Sequence, residues 1–188
     1  MRQLIVTAFV SLDGVMEAPG GEPGYRNSGW TFEGIEFDPA AYEIKGREQQ
    51  EAGALLFGRN SYEAFAPVWP TMAEFEHMNT LPRYVVSTTL QTDDDRWPAT
   101  ILRSIDEVAD LKHTGDGPIL VQGSATLGAA LADAGLVDRY HLLVFPVLLG
   151  AGKRLFSTAD KDTTHLRLVE YETYGNGICK QIYDVVHT

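Results

Sequence analysis

The sequence is poor in cysteine, in clustered basic residues and in long apolar stretches. One thiol among 188 residues, Cys179, cannot form an internal disulfide and cannot supply a C-x-x-C pair or a cysteine zinc site. A reducing, cytoplasmic setting is the expectation that follows. Fifteen Lys and Arg against 26 Asp and Glu leave a formal charge of −11, and no stretch gathers five or more basic residues. Nucleic acid and anionic membranes are therefore not expected as partners. The most apolar run, Leu142 to Leu149, contains Pro146 and falls far short of the roughly 20 residues that span a bilayer. At the start, Leu4 to Val10 is too short for a secretory core and runs into Ser11-Leu12-Asp13-Gly14, a turn without a cleavage site. No repeat and no low-complexity tract occurs.

The composition present, 44% hydrophobic and 22% charged, suits one domain whose core needs no disulfide or structural metal. Leu4 to Val10 is β-branched and reads as a buried strand. Glu17 to Gly29 holds four glycines and two prolines in thirteen residues and reads as a mobile lid tethered at both ends. Asp38-Pro39 starts a helix running to about Gly53. A strand over 54–57, a short helix ending at Phe65 and a loop set by Pro67, Trp69 and Pro70 follow. Strands are expected over 83–87, 100–102 and 119–121. The capping box Ser104 to Glu107 opens a helix to Lys112, and Gly123-Ser124 opens another ending at Ala134-Gly135. Three strands close the chain, over 137–145, 165–170 and 178–186, the last two joined through Asn176-Gly177. This order implies a largely parallel sheet with an antiparallel C-terminal ribbon.

Two strand-to-helix junctions bend at glycine, Leu55-Leu56-Phe57-Gly58-Arg59-Asn60-Ser61 and Leu120-Val121-Gln122-Gly123-Ser124-Ala125-Thr126-Leu127. Unpaired N–H groups and the positive helix end favour a phosphate at such bends. Together with Arg59 and the hydroxyls of Ser61, Ser124 and Thr126 they point to a diphosphate ligand. No G-x-G-x-x-G occurs, and Gly150-Ala151-Gly152-Lys153-Arg154 lacks the spacing of a Walker loop. It reads as a tight turn close to the ligand. The five histidines show no metal-ligand spacing, Asp93-Asp94-Asp95 reads as a solvated loop, and no metal is expected. Cys179 reads as a packing residue.

Ser11-Leu12-Asp13-Gly14, Gly58-Arg59-Asn60-Ser61-Tyr62-Glu63, Val85-Val86-Ser87, Val121-Gln122-Gly123-Ser124-Ala125-Thr126-Leu127 and Leu148-Leu149-Gly150-Ala151-Gly152 occur in an order that resembles the dihydrofolate reductase superfamily. Within it the chain is similar to the reductase domain of riboflavin biosynthesis, the RibD C-terminal type, and its stand-alone relatives. The resemblance covers nearly the whole chain, 1–188 as one domain. It implies an α/β fold with a mixed, mostly parallel eight-stranded sheet, an antiparallel C-terminal hairpin and about four flanking helices.

It also implies NADPH, with the diphosphate between Gly58, Asn60 and Ser61 on one side and Gly123, Ser124, Ala125, Thr126 and Leu127 on the other. Arg59 would lie near the 2′-phosphate, Ser87 and Thr88 near the adenosine, and Ala8 with the turn to Gly14 beside the nicotinamide. The substrate side differs from both named enzymes. Folate reductases carry Pro-Trp with an acid five residues on; here Gly29 precedes Trp30, Ile35 holds the fifth position, and Glu36 or Asp38 stands nearby. Riboflavin reductases carry Glu where Gln122 stands, and Arg where Gln49 or Gln50 stands. The implied activity is hydride transfer from NADPH to a planar heterocycle, a pteridine or a ribosylaminopyrimidine-like compound, by a homodimer. Asp13, Asp38 and Gln122 are the expected catalytic residues, an aspartate anchoring or protonating the substrate. A dinucleotide-binding module without turnover and a flavin-dependent reductase are the alternatives.

Overall fold

Buried β-branched and leucine-rich segments make the strands, and capped polar segments make the helices. A computed structural model describes residues 1–92, 95, 97–157 and 162–187. It contains β1 (Leu4–Ser11), α1 (Pro39–Glu51), β2 (Ala54–Gly58), α2 (Arg59–Phe65), β3 (Arg83–Val86) and β4 (Thr100–Leu102). Then come α3 (Ile105–Leu111), β5 (Ile119–Gln122), α4 (Ala125–Asp133), β6 (Arg139–Phe145), β7 (Leu166–Thr173) and β8 (Cys179–Val185). The Asp38 carboxylate accepts the Ala40 N–H at 3.0 Å with Pro39 at the first helical position, and Ser104 Oγ accepts the Glu107 N–H at 3.2 Å. Residues 66–82, expected as loop, hold three single 3₁₀ turns at Trp69–Thr71, Ala73–Phe75 and Met78–Thr80. Their i to i+3 bonds suit a segment too rich in proline to continue α2.

All eight strands form one sheet in the order β4-β3-β2-β5-β1-β6-β8-β7. Neighbouring strands are parallel from β4 to β6, while β8 pairs antiparallel with both β6 and β7. Alternation along β1 divides the core. Leu4, Val6, Ala8 and Val10 pack on one face against Val108 and Leu111 of α3 and Leu127 and Leu131 of α4. Ile5, with Leu55, Phe57 and Leu120, faces Tyr62 of α2, Met78 and Trp97 on the other. Further along that second face, Leu143, Phe145 and Ile182 meet Ala41 and Ile44 of α1 and Trp30.

This arrangement opens the sheet at one point. The β1 to β5 pairing runs from Leu4↔Ile119 to Thr7↔Gln122 and stops, whereas β1 continues beside β6 to Ser11↔Phe145. Beyond β5 the chain passes to α4 on the first face; beyond β1 it passes to α1 on the second. Adjacent strands whose continuations leave to opposite faces create a crevice at their carboxyl ends, the customary ligand position in open α/β sheets.

Candidate active site

A groove of about 660 Å³ lies at this carboxyl edge, within the usual size of a ligand site. Its lining includes Gly58, Arg59, Asn60 and Ser61 from the first glycine junction, and Gly123, Ser124, Ala125, Thr126 and Leu127 from the second. Ser87 and Thr88 join them after β3. The two junctions are stitched together: the Gly58 N–H donates to Ser124 Oγ at 2.9 Å, Ser124 Oγ lies 2.9 Å from Ser61 Oγ, and Ser61 Oγ donates to the Gly123 carbonyl at 3.0 Å. The two hydroxyls thus bridge the turns instead of standing free for a phosphate. The N-terminus of α4 carries no side-chain cap, and its first residues, Ala125 to Leu127, line the groove, which puts the positive helix end there. Gly123 has φ +60, and a Cβ there would sit 2.9 Å from Phe65 Cζ. The turn excludes a side chain on protein grounds alone.

Arg59 donates from Nε to Glu63 at 2.8 Å and from Nη1 to Thr89 Oγ1 at 2.8 Å. This places the guanidinium at the turn after β3 that carries Ser87, Thr88 and Thr89. The Ser87 hydroxyl is engaged by its own turn, accepting the N–H groups of Thr89 and Leu90 at 3.2 and 2.9 Å.

Glu17 to Gly29 is a folded wall of the groove. Trp30 Nε1 donates to the Glu17 carbonyl at 2.8 Å, Thr31 Oγ1 donates to the Pro19 carbonyl at 2.7 Å, and Tyr25 Oη donates to the Ala151 carbonyl. Met16, Glu17, Pro19, Tyr25 and Lys153 line the groove, which puts the 150–153 turn next to the ligand space. Ala18 has φ +46 in this wall, a conformation that surrounding contacts must hold in place. The lid reading is corrected in one respect: Trp30, 2% exposed, fastens the segment to the second-face core.

Asp13 fastens the opposite side. Its carboxylate accepts from Ser11 Oγ at 2.7 Å and from the Leu149 and Gly150 N–H groups at 3.1 and 2.8 Å. The Ser11 hydroxyl first, then these amides, hold its pKa down to about 2. A group charged at every ordinary pH does not donate a proton, so the expected acid is a clamp between two loops. Asp38 is the cap of α1 and does not line the groove. The Ala8 side chain is buried in the first-face core under α4, because the pleat turns it away from the second face, while its backbone lies one residue past the end of the β1 to β5 pairing. Gly14, at φ +84, lies in the turn behind the wall.

Gln122 stands in register with Thr7, on the second face of the crevice floor. Beside it is a polar cluster that sequence reasoning missed. Glu48 of α1 accepts from Thr7 Oγ1 at 2.7 Å, pairs with His141 Nδ1 at 2.9 Å and with Lys45 Nζ at 3.2 Å. Burial would raise the Glu48 pKa, but the Lys45 charge and the bonds from His141 and Thr7 outweigh it and keep the carboxyl below its ordinary value. His141 Nε2 is buried without a hydrogen-bond partner. A signal did exist: Ala41, Ile44 and Glu48 form the buried stripe of α1, and a carboxylate on such a stripe needs a partner. Among the described residues no group of three His, Cys, Asp or Glu side chains is arranged to hold a metal. Asp93 and Asp94 lie outside the described residues. No helix among them is long and apolar enough to cross a membrane.

Comparison with known proteins bears on the fold and the family. The chain is 26% identical to the uncharacterised protein YyaP of Bacillus subtilis (strain 168), over 97% of this chain and 94% of that one. A candidate riboflavin biosynthesis protein from Shewanella sp. PV-4 has the same fold, with a TM-score of 0.78 at 18% identity over 98% of this chain and 99% of that one. Dihydrofolate reductase from Enterococcus faecalis, in complex with NADP(H) and RAB-propyl, matches with a TM-score of 0.61 at 14% identity over 98% and 97% of the two chains. The RibD C-terminal domain family matches residues 2–180, and with its dihydrofolate reductase-like sheet and paired glycine junctions the chain belongs to that family.

Proposed function

We propose that this protein is an NADPH-dependent reductase that delivers hydride to a planar heterocycle. The observation that carries the reading is the groove itself, where two glycine junctions meet the uncapped start of α4, with Arg59 as the cation at its edge. The dihydrofolate reductase of the same fold is complexed with NADP(H). Gly58 and Gly123 to Leu127 would hold the diphosphate, and Arg59 with Thr88 the 2′-phosphate end. When bound, NADPH supplies hydride and reducing equivalents. The wall from Glu17 to Tyr25 covers one side of the groove, and Asp13 keeps the 148–152 turn in position beside that wall. Gln122, a neutral amide, orients the substrate by hydrogen bonding and does not supply the proton. Proton delivery by water fits this site, since both sequence-chosen aspartates have structural partners.

The test is a thermal-shift and fluorescence titration of the purified chain with NADPH, NADH and FMN. A ligand at about 100 times its Kd stabilises the native state by about 2.7 kcal/mol. NADPH is expected to give the largest shift. An FMN shift larger than the NADPH shift, or a purified protein that is yellow, would replace this reading with a flavin-dependent one.

A further inference from the structure

We propose that Lys45 anchors the substrate, and that it selects planar compounds presenting an acceptor oxygen edge, above all a ring-borne carboxylate. This deepens the reductase reading, resting on it for the identity of the second-face crevice as the place of the hydride acceptor.

Helix α1 brings two charged side chains to Thr7, at the last pair of β1 with β5 and on the second face beside the groove, and only one of them is open. Glu48 Oε1 takes both Thr7 and His141, Oε2 takes Lys45, and the side chain is 1% exposed. It has no accessible acceptor for the N–H edge of an aminopyrimidine. Lys45 is the opposite case. Its ammonium has three donors: one goes to Thr7 Oγ1 and one to Glu48, while the side chain stays 20% exposed. Nζ lies 4.9 Å from the centroid of the Phe9 ring. Phe9 is a β1 residue just past the end of the β5 pairing, level with the Gly123 turn, and only partly buried.

The site therefore offers a partly exposed ring that meets Tyr42 and Phe145 edge-on at centroid distances of 5.8 and 5.6 Å, a fixed cation over its face, and Gln122 one strand away. A planar ligand can lie against the exposed edge of Phe9, beside Lys45, with an oxygen toward the third Lys45 donor, a charge-assisted bond. A basic ring edge would face the ammonium and be repelled. Thr7 and Glu48 hold the lysine in place, so little side-chain entropy remains to be lost on binding.

Three pyrimidines of nearly one shape and different charge make the probes: orotate, uracil and 2,4-diaminopyrimidine. Binding to the full chain is followed by NMR titration, with NADPH affinity measured on the same samples. Orotate is expected to bind more tightly than either other compound. Lys45→Met should weaken orotate about tenfold or more, as one lost charge-assisted contact does, and uracil by a smaller factor, with NADPH affinity nearly unchanged. Lys45→Arg should restore most of the loss. Equal orotate affinity in Lys45→Met, no orotate binding to the unmodified chain, or a preference for 2,4-diaminopyrimidine overturns the proposal. The selectivity of the unmodified chain decides the matter if Lys45→Met does not fold. A chain that binds orotate through Lys45 but fails to bind NADPH would overturn the reductase reading and leave the anchor standing.

Discussion

Arg59 is held by Glu63 and Thr89 through Nε and Nη1, which among the described residues leaves the Nη2 side of its fork for an anion. A guanidinium to phosphate contact contributes about 1.5 to 3 kcal/mol, or roughly 10- to 150-fold in affinity. Arg59→Ala is expected to weaken NADPH by that factor and leave NADH nearly unchanged, as measured by fluorescence titration; equal losses for both cofactors would place the 2′-phosphate elsewhere. Asp13 gives a prediction of a different kind. Its native pKa of about 2 lies below the ordinary 3.8, so the stability contributed by its charge is complete above about pH 4. That contribution is lost as the pH falls toward 2. Asp13→Asn removes the titrating group, and its melting temperature should fall less steeply than that of the unmodified chain between those two pH values. Parallel curves would mean that the Asp13 bonds to Ser11, Leu149 and Gly150 are not made in solution.

The elements differ in how far their own residues announce them. Asp38-Pro39 and Ser104 with Glu107 fix two helix starts by local hydrogen bonding, and β-branched or leucine runs fix β1, β2 and β5. These were legible because each cause lies within a few residues. The wall from Glu17 to Trp30 was not, since its order comes from partners far along the chain. Tyr25 reaches Ala151, and Trp30 packs edge-on against Phe145 with ring centroids 5.3 Å apart. The Glu48 to His141 pair, 93 residues apart, escaped for the same reason. Gly152 adds a steric link that composition cannot reveal, for a Cβ there would sit 2.7 Å from Val15 Cγ1. Because Trp30 is the buried anchor of the wall, Trp30→Ala is expected to cost about 3 to 5 kcal/mol, read by chemical denaturation. It should also raise amide exchange at Gly29 and Phe32, which bond within this segment. A loss below about 1 kcal/mol would mean that the wall is not fastened through this ring.

For the whole molecule, the order of elements prescribed the parallel sheet and its antiparallel ribbon, whereas the crevice came from where the β1 and β5 pairings stop, which no local pattern encodes. The sheet ends at β7, where Leu166, Leu168, Val169 and Tyr171 are all exposed. An eight-residue outer strand with that many apolar side chains is prone to cover itself with another strand. The homodimer is therefore expected to form here. Light scattering should give about twice the 20.7 kDa chain mass, and Leu168→Lys with Val169→Lys should return it to one chain. A double variant that keeps the doubled mass moves the interface to another surface.

The position of β1 also bears on how the chain reaches this state. Its two neighbours are β5, beginning 115 residues beyond Leu4 at the Leu4↔Ile119 pair, and β6, 134 residues beyond Ile5 at Ile5↔Arg139. Closing such long loops is entropically costly, and contacts of high sequence separation slow folding. During synthesis β1, almost wholly apolar, emerges ahead of both partners and waits with two bare edges until Gln122, the end of β5, and with one until Phe145, the end of β6, has left the ribosome. Nascent chains of this protein should accordingly engage chaperones from β1 onward, and release should coincide with the appearance of β6.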